Sequence, residues 1–137
     1  MKNHPIQRET VATKSRSQMI DVTSRVQALV TKLRVSEGFV LVYNPHTTAA
    51  VTINENADPD VQHDLLTKLG ELIPKSEKFY QHSEGNSDSH LKAAMLGSSA
   101  TVLIEDGELV LGRWQGIYFC EFDGPRQREM LVKVVET

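Results

Sequence analysis

Apolar residues change their spacing several times along this chain, and each change marks an element. Val26, Leu29, Val30 and Leu33 recur at three and four residues, the spacing of one helix face. Thr23 or Ser24 caps that predicted helix and Gly38 stands just beyond it as a stop. Phe39 to Tyr43 (FVLVY) is an unbroken apolar run and reads as a buried strand, ended at Asn44-Pro45 because proline cannot donate to a ladder. From His46 to Glu55 the spacing becomes two. Thr47, Ala49, Val51 and Ile53 then share one face of a strand, and His46, Thr48, Thr52 and Asn54 share the other. Asp58-Pro59 opens a second helix in the cap-then-proline order; Val61, Leu65, Leu66, Leu69 and Leu72-Ile73 form its stripe, and Pro74 ends it. A loop leads from there to a shorter third helix. Ser87, Asp88 or Ser89 is its cap, Leu91, Ala94 and Met95 its packing face, and Gly97 its stop.

The rest of the chain alternates like strands. Arg8 to Thr13 and Gln18 to Val22 are short and polar, with Lys14-Ser-Arg-Ser17 between them as turn or edge. Thr101 to Glu105, Asp106-Gly107 and Glu108 to Leu111 predict a hairpin with a strong turn signal. Ile117 to Phe122, a turn at Asp123-Gly124-Pro125 and Arg128 to Val135 predict a second hairpin. Strands outnumber helices and hairpins dominate, so the expected class is α+β: a largely antiparallel sheet or sandwich with about three helices packed on it.

Composition narrows the picture. The chain has 137 residues, suited to one domain over 1–137 with its own core, and a net charge of −3. No basic stripe is present to neutralise a phosphate backbone, which argues against a nucleic-acid partner. No apolar run approaches the roughly 20 residues that span a bilayer, and the first residues lack a signal-peptide core, so the expected location is the cytoplasm with no membrane partner. Cys120 is the only cysteine. It lies among Tyr118, Phe119 and Phe122 and reads as a packed strand thiol rather than a nucleophile, since nothing adjacent would lower its pKa.

Two polar clusters carry the candidate chemistry: His46-Thr-Thr-Ala-Ala, and His82-Ser-Glu-Gly-Asn-Ser-Asp-Ser-His90. Together they hold three of the five histidines. Imidazoles near carboxylates suit either a metal ion or proton transfer. His82 and His90 are too far apart for ligation from one helix face, but a loop residue and one in the next helix's first turn can converge. With His46 they would form a three-histidine site with an open fourth position; the alternative is that His82 and His90 only pad a helix start. Glu55 and Glu84 are candidate bases or partners that fix an imidazole tautomer, and Asn54 and Asn86 candidate substrate contacts. Asn54-Glu55-Asn56 equally fits a polar turn. Arg126 and Arg128, joined by Lys92, are candidate phosphate grips or ordinary hairpin charges. Trp114-Gln115 is a candidate pocket wall or a core position.

At these residues a family pattern appears. His46-Thr-Thr-Ala-Ala, Ile53-Asn-Glu-Asn56, His82-x-Glu-Gly-Asn86, His90-Leu-Lys-Ala-Ala, Leu96-Gly-Ser-Ser99, Leu111-Gly-x-Trp-Gln-Gly-Ile117 and Glu121-Phe-Asp-Gly-Pro-Arg126 resemble the successive signatures of the YjbQ family. That family is proposed to comprise secondary thiamine-phosphate synthases, and the likeness runs from about Thr10 to Val135. It implies a homotrimer of small α+β domains with a pocket formed by His46, Asn54, Glu55, His82, Glu84, His90, Trp114, Gln115 and Arg126. A divalent ion is implied with it: Zn²⁺ or a similar ion at the histidines, or Mg²⁺ if diphosphate is released. The implied reaction joins hydroxymethylpyrimidine diphosphate to thiazole phosphate. The residues themselves equally suit a metal-assisted reaction on a small phosphorylated or heterocyclic substrate, or a trimer that only binds a metal or small ligand. Arg113 stands where many relatives carry threonine, and the role of Asp88 is open.

Overall fold

The computed structural model describes residues 2–137. Twelve elements follow in order. They are β1 (Lys2–Asn3), β2 (Gln7–Ala12), β3 (Gln18–Asp21), α1 (Thr23–Leu33), β4 (Gly38–Tyr43), β5 (Ala49–Glu55), α2 (Pro59–Leu72), α3 (Ser87–Leu96), β6 (Ser99–Glu105), β7 (Glu108–Leu109), β8 (Gln115–Glu121) and β9 (Gln127–Glu136). All strand pairing is antiparallel. The larger sheet runs β1-β9-β4-β6-β7, with β2 also on β9, and the smaller runs β3-β8-β5. Three helices over antiparallel sheets make this the expected α+β class.

The two sheets face each other across the main core. Val40, Val42, Val102, Ile104, Val132 and Val134 point inward from the large sheet and meet Val51, Ile117 and Phe119 of the small one, with Val26 and Val30 of α1 closing the flank. Each such side chain, taken fully out of water, contributes on the order of 1.5–3 kcal/mol before entropy is charged against it. The other face of the small sheet carries a second cluster, Ala50, Tyr118, Cys120 and Phe122, roofed by α2 and α3. The outer face of the large sheet has no helix over it. Phe39, Leu41, Tyr43, Leu131 and Val135 line that face, as does Leu103, which is 63% exposed.

Several expectations are corrected by the structure. Arg128 to Val135 does not return beside Ile117 to Phe122 as a hairpin: β8 and β9 belong to different sheets, and the Asp123-Gly124-Pro125 segment crosses between them. Arg34, in the left-handed conformation, ends α1. Gly38 lies within β4, where a Cβ would stand 1.9 Å from the Val135 carbonyl oxygen. Neither Thr23 nor Ser24 caps α1; Val22 occupies the cap position, and Asp21 accepts from the Thr23 N–H instead. The strand predicted from His46 begins only at Ala49, because Asn44 organises residues 44–48 as a loop.

The α3 packing face is reversed. Leu91, Ala94 and Met95 point to solvent, and Asp88, Ser89, Lys92 and Ala93 are buried. An apolar count finds the wrong face here because the polar residues on the other are all satisfied internally. Asn86, and not Ser87, Asp88 or Ser89, occupies the cap position of α3, with its Nδ2 turned to Asp123 and no side-chain bond to the helix start. Elsewhere Asp58 accepts from Asp60 N–H to cap α2, Gly97 ends α3, and Asp106-Gly107 turns β6 into β7 with both φ angles positive, 51° and 79°, as expected.

Candidate functional site

Asn44 builds the loop that presents His46. Its Nδ2 donates to the carbonyls of His46 and Ala49, at 3.0 and 2.7 Å, and its Oδ1 accepts from the His46 N–H at 3.0 Å. The loop is further tied down where the Phe122 N–H donates to Thr48 O. On this loop the His46 ring accepts, through Nε2, a hydrogen bond of 2.9 Å from the backbone N–H of Glu129. Burial, then the nearby Arg128 guanidinium, push the His46 imidazole below its ordinary pKa. The ring is therefore neutral near pH 7. Since Nε2 accepts, its proton sits on Nδ1 as a donor.

Across a cleft of about 460 Å³ from His46 stands His90, in the first turn of α3; Tyr43, Asn44 and Ala93 are among the other walls. His90 also borders a second depression of about 490 Å³ with Phe79, Tyr80, His82 and Leu91. The His82 and His90 rings meet edge to face, with centroids 5.3 Å apart, and Glu84 Oε2 lies 3.7 Å from His82 Nε2. The two sequence clusters thus meet at His90.

A buried polar network fixes α3, and through it His90. Arg16 donates to both carboxylate oxygens of Asp88 at 3.0 and 3.1 Å, and Lys92 lies 3.4 Å from Asp88. Burial alone would raise the Asp88 pKa, but the Arg16 hydrogen bonds and the Lys92 charge outweigh it and leave the carboxyl below its ordinary value. One residue before the helix, Asn86 Nδ2 donates to Asp123, which also accepts from Arg126. The other side-chain atom of Asn86, Oδ1, is buried without a partner among the described residues. A second network lies beneath the His46 loop. Glu121, fully buried, accepts from Arg128 and Thr13, while Arg128 also donates to Thr48 Oγ1. Burial pushes Glu121 up, but these bonds and the Asp123 N–H hold it below the usual carboxylate range.

The remaining candidates are elsewhere. Asn54 and Glu55 end β5 and pair with Gly116 and Gln115 of β8, five and six residues beyond the start of the strand at Ala49. At about 3.3 Å per residue this places them about 20 Å from the loop that carries His46. Trp114 is 53% exposed, neither core nor wall of the His46 cleft, with the Arg113 guanidinium 4.8 Å from its ring. Gln115 Oε1 accepts from Gly112 N–H, Asn54 Oδ1 from Glu55 N–H, and Glu55 O from the Tyr118 hydroxyl. The expected pocket set therefore divides within one chain. His46, His82, Glu84, Asn86, His90 and Arg126 lie toward one end of the small sheet, and Asn54, Glu55, Trp114 and Gln115 toward the other.

Two expected phosphate grips are corrected. Arg128 and Lys92 are not hairpin or helix-surface charges; both are buried and committed to Glu121 and Asp88. Arg126, half-exposed beside Asp123, is the member of the trio that faces solvent. Cys120 is fully buried and burial pushes its thiol up to about 12, as a packed residue requires. Within one chain the histidines do not fit a three-histidine ion: among the described residues no three His, Cys, Asp or Glu side chains are grouped to hold a metal, and His46 Nε2 already accepts from Glu129. Sequence reasoning missed Arg16, Thr13, Thr48 and the structural part of Glu121. Only Glu121 carried a local signal, a carboxylate closing the apolar run from Ile117.

The chain matches the family model described as UPF0047 protein YjbQ-like over residues 7–137. UPF0047 protein MJ1081 of Methanocaldococcus jannaschii is 48% identical over 125 residues, covering 91% of this chain and 90% of that protein. UPF0047 protein YugU of Bacillus subtilis is 47% identical over 125 residues, covering 91% and 95%. Among solved structures, an uncharacterised YjbQ/UPF0047 protein of Clostridium acetobutylicum superposes with a TM-score of 0.92 at 50% identity, covering 94% of this chain and 99% of that one. A YbjQ-like protein of unknown function from Sulfolobus solfataricus gives 0.92 at 31% identity, with 97% of each covered. No described helix is long and apolar enough to cross a membrane.

Proposed function

The chain belongs to the UPF0047 YjbQ-like family, and from that membership we propose an enzyme that acts on a small anionic substrate in the cleft between His46 and His90. One observation carries this reading: the His46 imidazole is fixed by the Glu129 N–H so that a neutral ring keeps its proton on Nδ1. A neutral imidazole held in one orientation is suited to hydrogen-bond a developing oxyanion or to move a proton. Arg126 supplies a cation toward the same end of the small sheet. The reaction that the YjbQ resemblance implies, and the first to test, is thiamine-phosphate formation. There the thiazole nitrogen takes the place of diphosphate on the methylene carbon of the pyrimidine.

We propose also that the cleft is completed by a neighbouring copy in a homotrimer. The uncovered outer face of the large sheet supports this, since Tyr43 at its end also lines the His46 cleft and Glu129, on the same face, holds the His46 ring. The test uses the purified protein with hydroxymethylpyrimidine diphosphate and thiazole phosphate. Product formation that falls by roughly a hundredfold or more in both His46→Ala and His90→Ala is the expected result. Turnover undiminished in both variants, or substrate binding without turnover in the parent, overturns the catalytic assignment.

A further inference from the structure

A third cavity, separate from both histidine-lined depressions, lies between α2 and the outer face of the small sheet, with a volume of about 210 Å³. Leu65, Leu66 and Leu69 of α2 form one wall, and Met19, Cys120 and Phe122 the other. No residue of this fourteen-residue helix is fully buried, although its apolar stripe faces the protein. At the rim lie Thr52 and Asn54. Among the described residues neither the Thr52 hydroxyl nor the Asn54 amide nitrogen has a protein hydrogen-bond partner; only Asn54 Oδ1 is engaged, by the Glu55 N–H.

We propose that this cavity binds a neutral single-ring molecule bearing one hydrogen-bonding group, with the ring among the leucines and the polar group at Thr52 and Asn54. Size supports it, because a dry apolar cavity of roughly 150 Å³ already takes up benzene. Charge sets the limit. A carboxylate or phosphate buried among Leu65, Leu66 and Phe122 would lose its hydration with no cation lining the site to replace it. The ligand class is therefore unlike the phosphorylated substrates proposed for the His46 cleft, and the inference does not depend on that reading.

The test is methyl-labelled methionine NMR of the whole chain with phenol, benzene and benzoate as probes. Met19 lines the cavity, and Met130, buried between the two sheets, is the internal control. Phenol and benzene move the Met19 methyl saturably and leave Met130 in place, whereas benzoate moves neither. Thr52→Val keeps the shape but removes the hydroxyl, so it weakens phenol by roughly five- to tenfold and leaves benzene unchanged. Leu69→Phe fills the space and abolishes both. The proposal is overturned if Met19 shows no saturable shift, if Met130 moves in step with it, or if benzoate binds as well as phenol. Equal affinity of phenol for the parent and Thr52→Val overturns the polar contact.

Discussion

His46 Nε2 lies 2.9 Å from the backbone nitrogen of Glu129, a residue 83 positions later in the chain. A side chain from the loop after β4 is thus oriented by β9, and its tautomer is set by a backbone group that no substitution at position 129 other than proline removes. Nitrogen NMR is expected to find His46 protonated on Nδ1 and titrating below the ordinary histidine value of about 6.5. Titration at or above that value would refute the effect of burial and Arg128, and a neutral ring protonated on Nε2 would show that the bond to Glu129 is not made.

The buried pair of Glu121 and Arg128 gives an asymmetric expectation. Arg128→Met strands a carboxylate that is fully buried, and unfolding free energy is expected to fall by about 3–5 kcal/mol. Adding Glu121→Leu removes the stranded charge and should return part of that loss; Thr13 keeps the Arg126 carbonyl as acceptor, while the Asp123 N–H loses its own. Urea unfolding of the two variants beside the parent measures it. A double variant less stable than Arg128→Met alone would refute the account.

Stability should decline with acid in two stages. His46 has a lowered pKa in the folded state, so the unfolded chain takes up that proton first as the pH drops below about 6.5. Asp88, Glu121 and Asp123 are also lowered by their partners. Their stabilisation is complete above the unfolded carboxylate values and is lost as the pH falls through the lower folded ones, a steeper loss beginning below about pH 5. Denaturant midpoints across pH 3 to 8 trace both stages.

Gly38→Ala puts a methyl group 1.9 Å from the Val135 carbonyl oxygen, a contact that can be relieved only by separating β4 from β9. A loss of about 3 kcal/mol is expected, against a gain of about 0.5–1 kcal/mol at Gly70, a position inside α2 where a Cβ meets nothing within 4 Å. Thermal unfolding of the two alanine variants makes the comparison.

If a second copy covers the outer face of the large sheet, Leu103→Asp disrupts the assembly without touching the core. Leu103 pairs with Phe39 on that face and is 63% exposed in the single chain. Sedimentation should show a trimer for the parent and a folded monomer for the variant. A monomeric parent would remove the assembly from the functional proposal.

Much of the architecture was readable because local rules were obeyed. Asp58-Pro59 opens α2, Pro74 follows its end, and Asp106-Gly107 makes its tight turn. Some failures are local, as where Asn44 makes a loop of the residues around His46 and Asp21 takes the Thr23 N–H; the larger ones come from a partner distant in the chain. Asp88 and Lys92 look like the solvent side of α3 until Arg16, 72 residues away from Asp88, supplies the charge that allows burial. Arg128 looks like a hairpin cation until β9 leaves β8 for the other sheet and lays the guanidinium on Glu121. The histidines were found by residue type and motif. Nothing in their spacing tells that His90 stands between two depressions, or that Glu55 is remote from both.

That remoteness makes β5 a ruler. It holds the His46 end and the Glu55 end of the small sheet about 20 Å apart, and the Val51 N–H bond to Gly97 O on its free edge resists a slip in register. A compact metabolite therefore cannot touch both ends of one chain at once; a single molecule that did so would need the reach of a dinucleotide.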